Sequence, residues 1–159
     1  MLAPQFETLA KQYMDMVFRL AFSHLKSKAD ADDVTQNVLL ALYKTETVFE
    51  SDDHVRHWLV RVTINECRKH WRSPWTKHED VSSYAETLRT EDDSAGDLFE
   101  AIMALDKKYR VLIVLYYYEG YAISEIAGML HIPAGTVGTR LARARKKLKE
   151  FLTEAYYDE

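Results

Sequence analysis

The chain has 159 residues, of which 47% are hydrophobic and 12% aromatic, enough apolar material for one medium domain or two small ones. Glycine and proline are scarce, at 5 and 3 residues, which favours helices over sheets. A single cysteine, Cys67, excludes an intrachain disulfide and suits a reducing compartment. The first residues lack a secretory leader pattern, and the longest apolar run, at residues 111–118, is far shorter than the roughly 20 residues of a spanning helix. We therefore expect a cytoplasmic protein without direct membrane insertion.

Charge is distributed unevenly along the chain, although the formal net charge is only −4. Residues 1–72 carry 10 basic and 10 acidic side chains, and residues 73–97 carry 2 and 7. Residues 98–152 carry 9 and 5, and residues 153–159 carry none and 3. The acidic side chains are thus concentrated in a middle segment and a tail. The C-terminal body is basic, as attraction to phosphates requires.

Two helices are predicted in the first part of the chain from the spacing of apolar residues. The first covers residues 5–26, with Pro4 at a position where a first-turn proline is tolerated. Asp30 is predicted to cap the second helix, which buries Val34 and ends near Thr45.

A polar loop and a third helix follow. The loop, at residues 46–53, contains one aromatic residue, Phe49. The third helix is predicted over residues 54–72, and its apolar face includes Trp58, which we expect in the core rather than as a stacking platform for bases.

Residues 73–97 interrupt the helical spacing. Their low hydrophobicity and like charge are typical of a flexible, extended linker, and Pro74 favours the end of the preceding helix. We therefore predict an all-α fold of two small helical domains joined by a flexible linker. The first domain is predicted over residues 1–72 and the linker over residues 73–97. The second domain is predicted over residues 98–152, followed by an acidic tail at residues 153–159.

Helical spacing resumes at Leu98. Two helices are predicted before Glu119 and Gly120, where the glycine supplies a left-handed cap. A short helix, a tight turn and a strongly basic last helix follow at residues 121–130, 131–133 and 134–152. This order indicates a helix-turn-helix in the C-terminal domain.

The last helix has two faces with different expected roles. An inward apolar stripe comprises Val137, Leu141, Ala144 and Leu148. The side chains expected to reach base edges in the major groove are Thr136, Thr139, Arg140, Arg143 and Lys146. Those expected at backbone phosphates are Arg145, Lys147 and Lys149. Six basic and no acidic residues lie between residues 133 and 149, which argues against a helical hairpin with a merely solvated face.

Four sequence segments, which form three motifs, together resemble one family. ISEIA at residues 123–127 and GTVGTRLARAR at residues 135–145 resemble the promoter-reading region of extracytoplasmic-function (ECF) sigma factors of bacterial RNA polymerase. DDVTQNVLL at residues 32–40 is similar to the helix by which that family docks on the polymerase clamp, and WLVRVTIN at residues 58–65 to its promoter-melting helix. The three motifs occur in the family's order and, together with a linker of suitable length, extend over nearly the whole chain.

This resemblance implies a sigma factor that binds core RNA polymerase and directs promoter-specific initiation by reading and melting promoter DNA. The implied clamp contacts are Asp33, Gln36, Asn37 and Leu40. The implied contacts to the minus-ten element are Phe49, Arg56, Arg61, Asn65 and Arg68. The basic face of the last helix would read the minus-thirty-five element. Core polymerase and promoter DNA are the implied partners, with an anti-sigma factor as a further candidate.

The sequence departs from the family's pattern at a few positions. Asn37 stands where the family often has glutamate, and Gly138 where lysine or arginine is frequent. The predicted minus-ten loop contains two acids, Asp52 and Asp53, which would repel phosphate. The promoter preference of other members therefore cannot be transferred to this chain.

Other functions fit the sequence less well. A self-sufficient helix-turn-helix regulator would bind DNA tightly without polymerase, and a decoy protein would bind only an anti-sigma partner. His54 and His57, with Asp52 and Asp53, offer too few ligands in a suitable pattern for a metal site, and Cys67 has no resolving partner. No catalytic motif stands out, so we expect neither an enzyme nor a cofactor.

Overall fold

The structure, a computed structural model, describes residues 1–72 and 93–157. These residues form helices and no strand, as the predicted all-α fold requires. The chain divides into two compact units, Met1–His78 and Glu79–Glu159. Most of the predicted linker lies outside the described residues. Among the helices described, none combines the length and apolar character needed to cross a membrane.

Three helices form the first unit: α1 (Ala3–Leu25), α2 (Lys28–Lys44) and α3 (Asp52–Arg72). Each packs against the other two, so that one apolar core lies between them. Side chains that are fully or almost fully buried there include Val17, Leu20, Phe22, Leu25, Val34, Val38, Leu42, Leu59, Ile64 and Cys67. The apolar periodicity of the sequence therefore identifies the inward face of each helix.

The junction between α1 and α2 differs from the prediction. Lys26 adopts a left-handed conformation (φ 54°), and its N–H donates to the carbonyl of Phe22 at 2.9 Å, which ends α1. The N-cap of α2 is Ser27, whose Oγ accepts from the N–H of Asp30 at 3.2 Å. The prediction of Asp30 as the N-cap is therefore wrong. Asp30 lies in the first helical turn, where a carboxylate also interacts favourably with the helix dipole.

The second unit comprises α4 (Asp93–Ala104), α5 (Lys107–Ile113), a π-helical turn (Val114–Tyr118), α6 (Ile123–Leu130) and α7 (Ala134–Tyr157). Helix α7 packs against α4, α5 and α6, and therefore organises the unit. Helix α4 begins five residues before the predicted domain limit, inside the expected linker. Helix α7 continues to Tyr157, so most of the expected acidic tail is helical.

The π-helical turn was not predicted. The N–H of Glu119 donates to the carbonyl of Val114, five residues earlier, at 3.0 Å. Gly120 follows with φ 75°, which confirms the predicted left-handed glycine. His131 is also left-handed (φ 56°) and ends α6. These two turns set the direction in which the chain enters α6 and α7.

Arg110 is an almost fully buried cation in α5. Its Nη1 donates to the carbonyl of Leu105 at 3.0 Å, which ties α5 to the turn after α4. Burial lowers the pKa of Arg110 to about 10, while the carboxylate of Asp106 acts in the opposite direction. Arg110 therefore stays charged at neutral pH and is held by the fold.

Leu20→Ala is expected to lower the free energy of unfolding of the first unit by about 2–5 kcal/mol, because it leaves a cavity in a fully buried position. Leu40→Ala, which truncates an exposed leucine of the same unit, should change it by less than about 0.5 kcal/mol. Urea unfolding followed by tryptophan fluorescence measures both, since Trp58 and Trp71 lie in this unit. Equal losses in the two variants would contradict the assigned core.

Candidate functional site

Helix α2 presents one exposed face opposite its buried stripe. Val34, Val38 and Leu42 are fully buried between the helices. The exposed face carries all four residues that the sequence predicted for the polymerase clamp: Asp33, Gln36, Asn37 and Leu40. Their spacing of three, four and seven residues places them on neighbouring turns of one face. The structure thus brings this set together on the surface of the first unit.

The exposed face of α2 has an apolar centre. Leu40 is 51% exposed, and Tyr43, one turn later, is similarly exposed. The ring of Tyr43 makes an edge contact with Phe6 of α1, with centroids 5.3 Å apart. Tyr43 was missed in the sequence, because a single aromatic residue near a helix end gives no periodic signal. Two adjacent exposed apolar side chains are a feature of protein-binding surfaces.

Asn37 lies at the edge of this face that is nearest α3. Its Nδ2 donates to Oε2 of Glu66 at 3.5 Å, the long end of the hydrogen-bond range. Glu66 also pairs with Lys69 at 3.0 Å. A glutamate at position 37 would place a second carboxylate beside Glu66. The asparagine therefore matches its local environment, and this contact was not foreseen from the sequence.

One face of α3 carries most of the residues predicted for the minus-ten element. Arg61, Asn65 and Arg68 are exposed and lie three to four residues apart, on the same face as Trp58. Arg56 does not share this face. It lies towards α1, close enough for its charge to counteract the rise in the pKa of Tyr13, which burial and two nearby aspartates cause.

Phe49, in the loop before α3, packs its ring against two rings of that helix. Its centroid lies 5.2 Å from that of His54 and 5.6 Å from that of Trp58, both in edge-on geometry. Trp58 is half-buried, so its expected core position is wrong. Val55 and Leu59 occupy the inward face of α3. Trp58 therefore lies outside the core, and the ring of Phe49 covers part of it.

Helix α7 separates its basic residues between two sides. Val137, Leu141 and Ala144 are fully buried. Away from them lie the five residues predicted to reach base edges: Thr136, Thr139, Arg140, Arg143 and Lys146. Thr139, Arg143 and Lys146 are exposed, and the other two are half-buried. The structure therefore groups this predicted set on one side of the helix.

The three cations predicted for backbone phosphates, Arg145, Lys147 and Lys149, are exposed, and each also lies near another group of the second unit. Arg145 donates from Nη1 to the hydroxyl of Tyr117 at 2.8 Å, and this hydrogen bond raises the pKa of Arg145. The Nζ of Lys147 lies 5.7 Å from the ring centroid of Tyr109, within cation–π range. Lys149 lines an open groove. Arg145 and Lys149 are four residues apart on one face of α7, whereas Lys147 shares the face of Arg143, and their contacts with phosphates stay a prediction.

The groove beside Arg145 and Lys149 was also missed in the sequence. It has a volume of about 970 Å³ and a largely apolar lining. The apolar lining residues include Leu98, Ile102, Ile113, Tyr117, Tyr118, Leu148 and Leu152. The run of three tyrosines at residues 116–118 indicated only packing. The π-helical turn determines which of these tyrosines face the groove. No pattern in the sequence predicted that turn.

His54 and Cys67, the residues considered for a metal or redox site, have contacts of a different kind. Within residues 1–72 and 93–157, no three His, Cys, Asp or Glu side chains form a group that could hold a metal ion. His54 uses Nδ1 to accept from the N–H of Glu50 at 3.2 Å. Cys67 is fully buried in the first unit, where it fills apolar space.

Comparison with known proteins identifies the two units. Residues 9–77 match the family described as Sigma-70 region 2, and residues 95–148 match Sigma-70, region 4. Over 151 residues the chain is 31% identical to the ECF RNA polymerase sigma factor SigM of Mycobacterium tuberculosis, an alignment covering 92% of this chain and 76% of that protein. The chain belongs to the ECF RNA polymerase sigma factors. This sigma factor binds core RNA polymerase and directs promoter-specific transcription initiation.

Other relatives agree with this assignment. The sigma factor SigV of Bacillus subtilis is 32% identical over 142 residues, which cover 86% of this chain and 84% of that protein. Among solved structures, CnrH in complex with the cytosolic domain of CnrY has a TM-score of 0.67 and 26% identity, covering 93% of this chain and 87% of that chain. The sigma factor RpoE of Bartonella quintana, in complex with the anti-sigma factor NepR, has a TM-score of 0.71 at 23% identity and shares the fold, covering 94% of this chain and 97% of that chain.

Family membership also bears on the alternatives. A self-sufficient helix-turn-helix regulator would account for region 4, but not for a region 2 unit with an exposed α2 face. Sigma factors as a class are transcription initiation factors without enzymatic activity.

Gly138→Ala is expected to stabilise the second unit by about 0.5–1 kcal/mol, because glycine weakens a helix interior and an added Cβ would meet no atom within 4 Å. Gly120→Ala is the matched control. It should destabilise the unit, since alanine is strained at φ 75°. Thermal unfolding by circular dichroism, with hydrogen exchange of the α7 amides, tests both signs. A loss of stability in Gly138→Ala would show that this glycine has a structural purpose.

Proposed function

We propose that this sigma factor divides its work among three surfaces. The exposed face of α2 binds the polymerase clamp, the loop before α3 and the exposed face of α3 take the minus-ten element, and the exposed side of α7 reads the minus-thirty-five element. One observation supports this division above all: apart from Arg56 and the loop residue Phe49, each set of candidate residues lies together on a side of its helix that faces away from a fully buried stripe.

The clamp surface is centred on Leu40, with Asp33 and Gln36 beside it and Asn37 at its edge. Burial of an exposed leucine and of Tyr43 against a partner removes apolar area from water, at roughly 25 cal/mol per Å². The polar neighbours supply directional contacts around this apolar centre. Asn37 contributes less to the clamp than a freely exposed residue would, since it also contacts Glu66.

The minus-ten surface combines an apolar wall, an amide and two cations. Recognition of an extruded base needs an apolar surface and hydrogen-bonding groups for the base edge. Phe49 supplies the first, and the exposed amide of Asn65 supplies the second. Arg61 and Arg68, on the same face of α3, lie where phosphates of the separated strand would run. We assign no strand contact to Arg56, because it lies towards Tyr13.

The minus-thirty-five surface uses the side of α7 on which Arg140 and Arg143 lie. Arginine reads guanine with two hydrogen bonds in the major groove, and threonine contacts either base edges or the thymine methyl. Thr136 and Thr139 stand near the N-terminal end of α7, the part of a recognition helix that meets the bases. Lys146, two turns later, lies nearer the rim, where it can contact a phosphate.

Further elements of the proposal concern organisation and partners. We place region 2 within residues 1–72 and region 4 within residues 98–152, with residues 73–97 as the connection and residues 153–159 as an acidic end. An anti-sigma factor is a further partner, since RpoE of Bartonella quintana is bound to one. The protein works in the cytoplasm, together with core polymerase, and has no catalytic activity of its own.

Leu40→Asp is expected to abolish binding to core polymerase and transcription while leaving the fold intact, because it places a charge at the apolar centre of the clamp surface. The matched control is Met14→Asp, the same change at an exposed apolar position of α1. Co-purification with core polymerase and run-off transcription, on promoters selected from genomic fragments with the wild-type protein, measure the effect. Normal transcription from Leu40→Asp would count against the clamp surface.

Arg143→Ala is expected to weaken recognition of the minus-thirty-five element by about 1–3 kcal/mol, roughly 5- to 150-fold. Arg145→Ala removes the same type of side chain two residues later, where it contacts Tyr117, and should leave that recognition within about twofold. Promoter affinity of the holoenzyme, compared between intact and scrambled minus-thirty-five elements, separates them. If both variants lose recognition equally, the proposed division of α7 into two sides is wrong.

A further inference from the structure

The loop before α3 is fixed at both ends by hydrogen bonds that backbone N–H groups donate to side-chain hydroxyls. At its start, Oγ1 of Thr45 accepts from the N–H of Thr47 at 3.2 Å. At its end, Oγ of Ser51 accepts from the N–H of His54 at 3.1 Å, which caps α3. Such local bonds give a short polar loop a defined path.

His54 holds the middle of this loop. Its Nδ1 lies 3.2 Å from the backbone nitrogen of Glu50. Because a backbone N–H can only donate, Nδ1 must be the acceptor, and the neutral ring then carries its proton on Nε2. The same ring makes the edge contact with Phe49 at 5.2 Å. One side chain therefore fixes two successive residues of the loop, one through its backbone and one through its ring.

Phe49 is confined by this arrangement. Its ring contacts His54 on one turn of α3 and Trp58 on the next, and it is half-buried, so part of it stays accessible. Its neighbour Val48 is 84% exposed at the tip of the loop. The direction of the accessible part of the Phe49 ring thus depends on where His54 places the chain.

We propose that His54 is a positioning residue for the extruded base of the minus-ten element, which it serves by holding Glu50 and Phe49 in the geometry that receives the base. The inference rests on the proposed role of Phe49 and Asn65 in taking that base. A preorganised loop loses less conformational freedom when it binds, and a displaced wall fits the four bases less selectively. His54 therefore acts on the choice of base, without a contact of its own to the base.

The test compares three substitutions in the full-length protein. His54→Asn keeps an acceptor close to the place of Nδ1, His54→Phe keeps the ring without the acceptor, and His54→Ala removes both. His70→Ala is the control, a histidine on the same helix about 24 Å further along its axis. Run-off transcription by the reconstituted holoenzyme is measured on promoters that carry each of the four bases at the extruded position. The readout is the ratio of transcription between the preferred base and the other three.

His54→Ala is expected to lower this ratio by about tenfold, since small displacements of a recognition group have large effects. His54→Asn and His54→Phe should each restore part of the ratio, and His70→Ala should retain it. A wild-type ratio in His54→Ala, or an equal fall of transcription on all four bases, would overturn the inference. Phe49→Ala and Asn65→Ala distinguish failure of the His54 inference from failure of the proposed base site. If neither variant alters the ratio, the proposed base site itself is wrong.

Discussion

The fully buried stripe of each helix is the constraint on which the functional surfaces depend. Val34, Val38 and Leu42 leave α2 only one rotation about its axis that keeps all three out of water. A turn of one residue, about 100°, would expose them and bury charged side chains. The face that carries Leu40 is exposed as a consequence. The same reasoning applies to Val137, Leu141 and Ala144, which fix the side of α7 that carries Arg143.

Capping then fixes where each helix starts along its axis. Ser27 and Ser51 accept from backbone N–H groups at the starts of α2 and α3. Left-handed residues at Lys26 and His131 end the preceding helices and turn the chain. Rotation comes from packing and register from the caps, and together they determine which residues of a surface lie on neighbouring turns. Leu40 lies beside Gln36 because residues four apart occupy neighbouring turns of a helix, and packing determines that the face they share is exposed.

The sequence was sufficient for the features that depend on periodicity. Residues three and four apart lie on the same face of a helix. The spacing of apolar residues therefore predicts the all-α fold, the inward stripes, and the exposed faces of α2 and α7. The sequence was insufficient for features that depend on a single local contact, such as the N-cap of α2 and the surroundings of Trp58. Asp30 and Ser27 are both good capping residues, and only the backbone geometry selects Ser27. Trp58 has a core-like spacing, yet a loop aromatic rather than the core covers it.

Contacts between distant segments could not be predicted at all. The position of Arg145 depends on Tyr117, 28 residues earlier, and on a π-helical turn that carries no sequence signal. Likewise, the contact between Asn37 and Glu66 joins two helices whose relative register is set by packing. The family resemblance identified the roles of whole segments. It could not tell which of six neighbouring cations face DNA, because that depends on the surroundings of α7 in this chain.

The division of those cations has a consequence for how the protein works. Arg145 and Lys149 lie on one face of α7 and against groups of their own unit, which leaves Arg140, Arg143, Lys146 and Lys147 on the side proposed for DNA. Each phosphate that a protein neutralises changes the slope of log K against log salt concentration by about 0.9. Four cations therefore give only modest affinity for DNA. A sigma factor with so small a contact set cannot hold a promoter by region 4 alone. The proposed clamp surface on α2 would therefore have a thermodynamic role in recognition. By joining the protein to polymerase, it would add the polymerase's own DNA contacts to the few contacts that region 4 makes with bases.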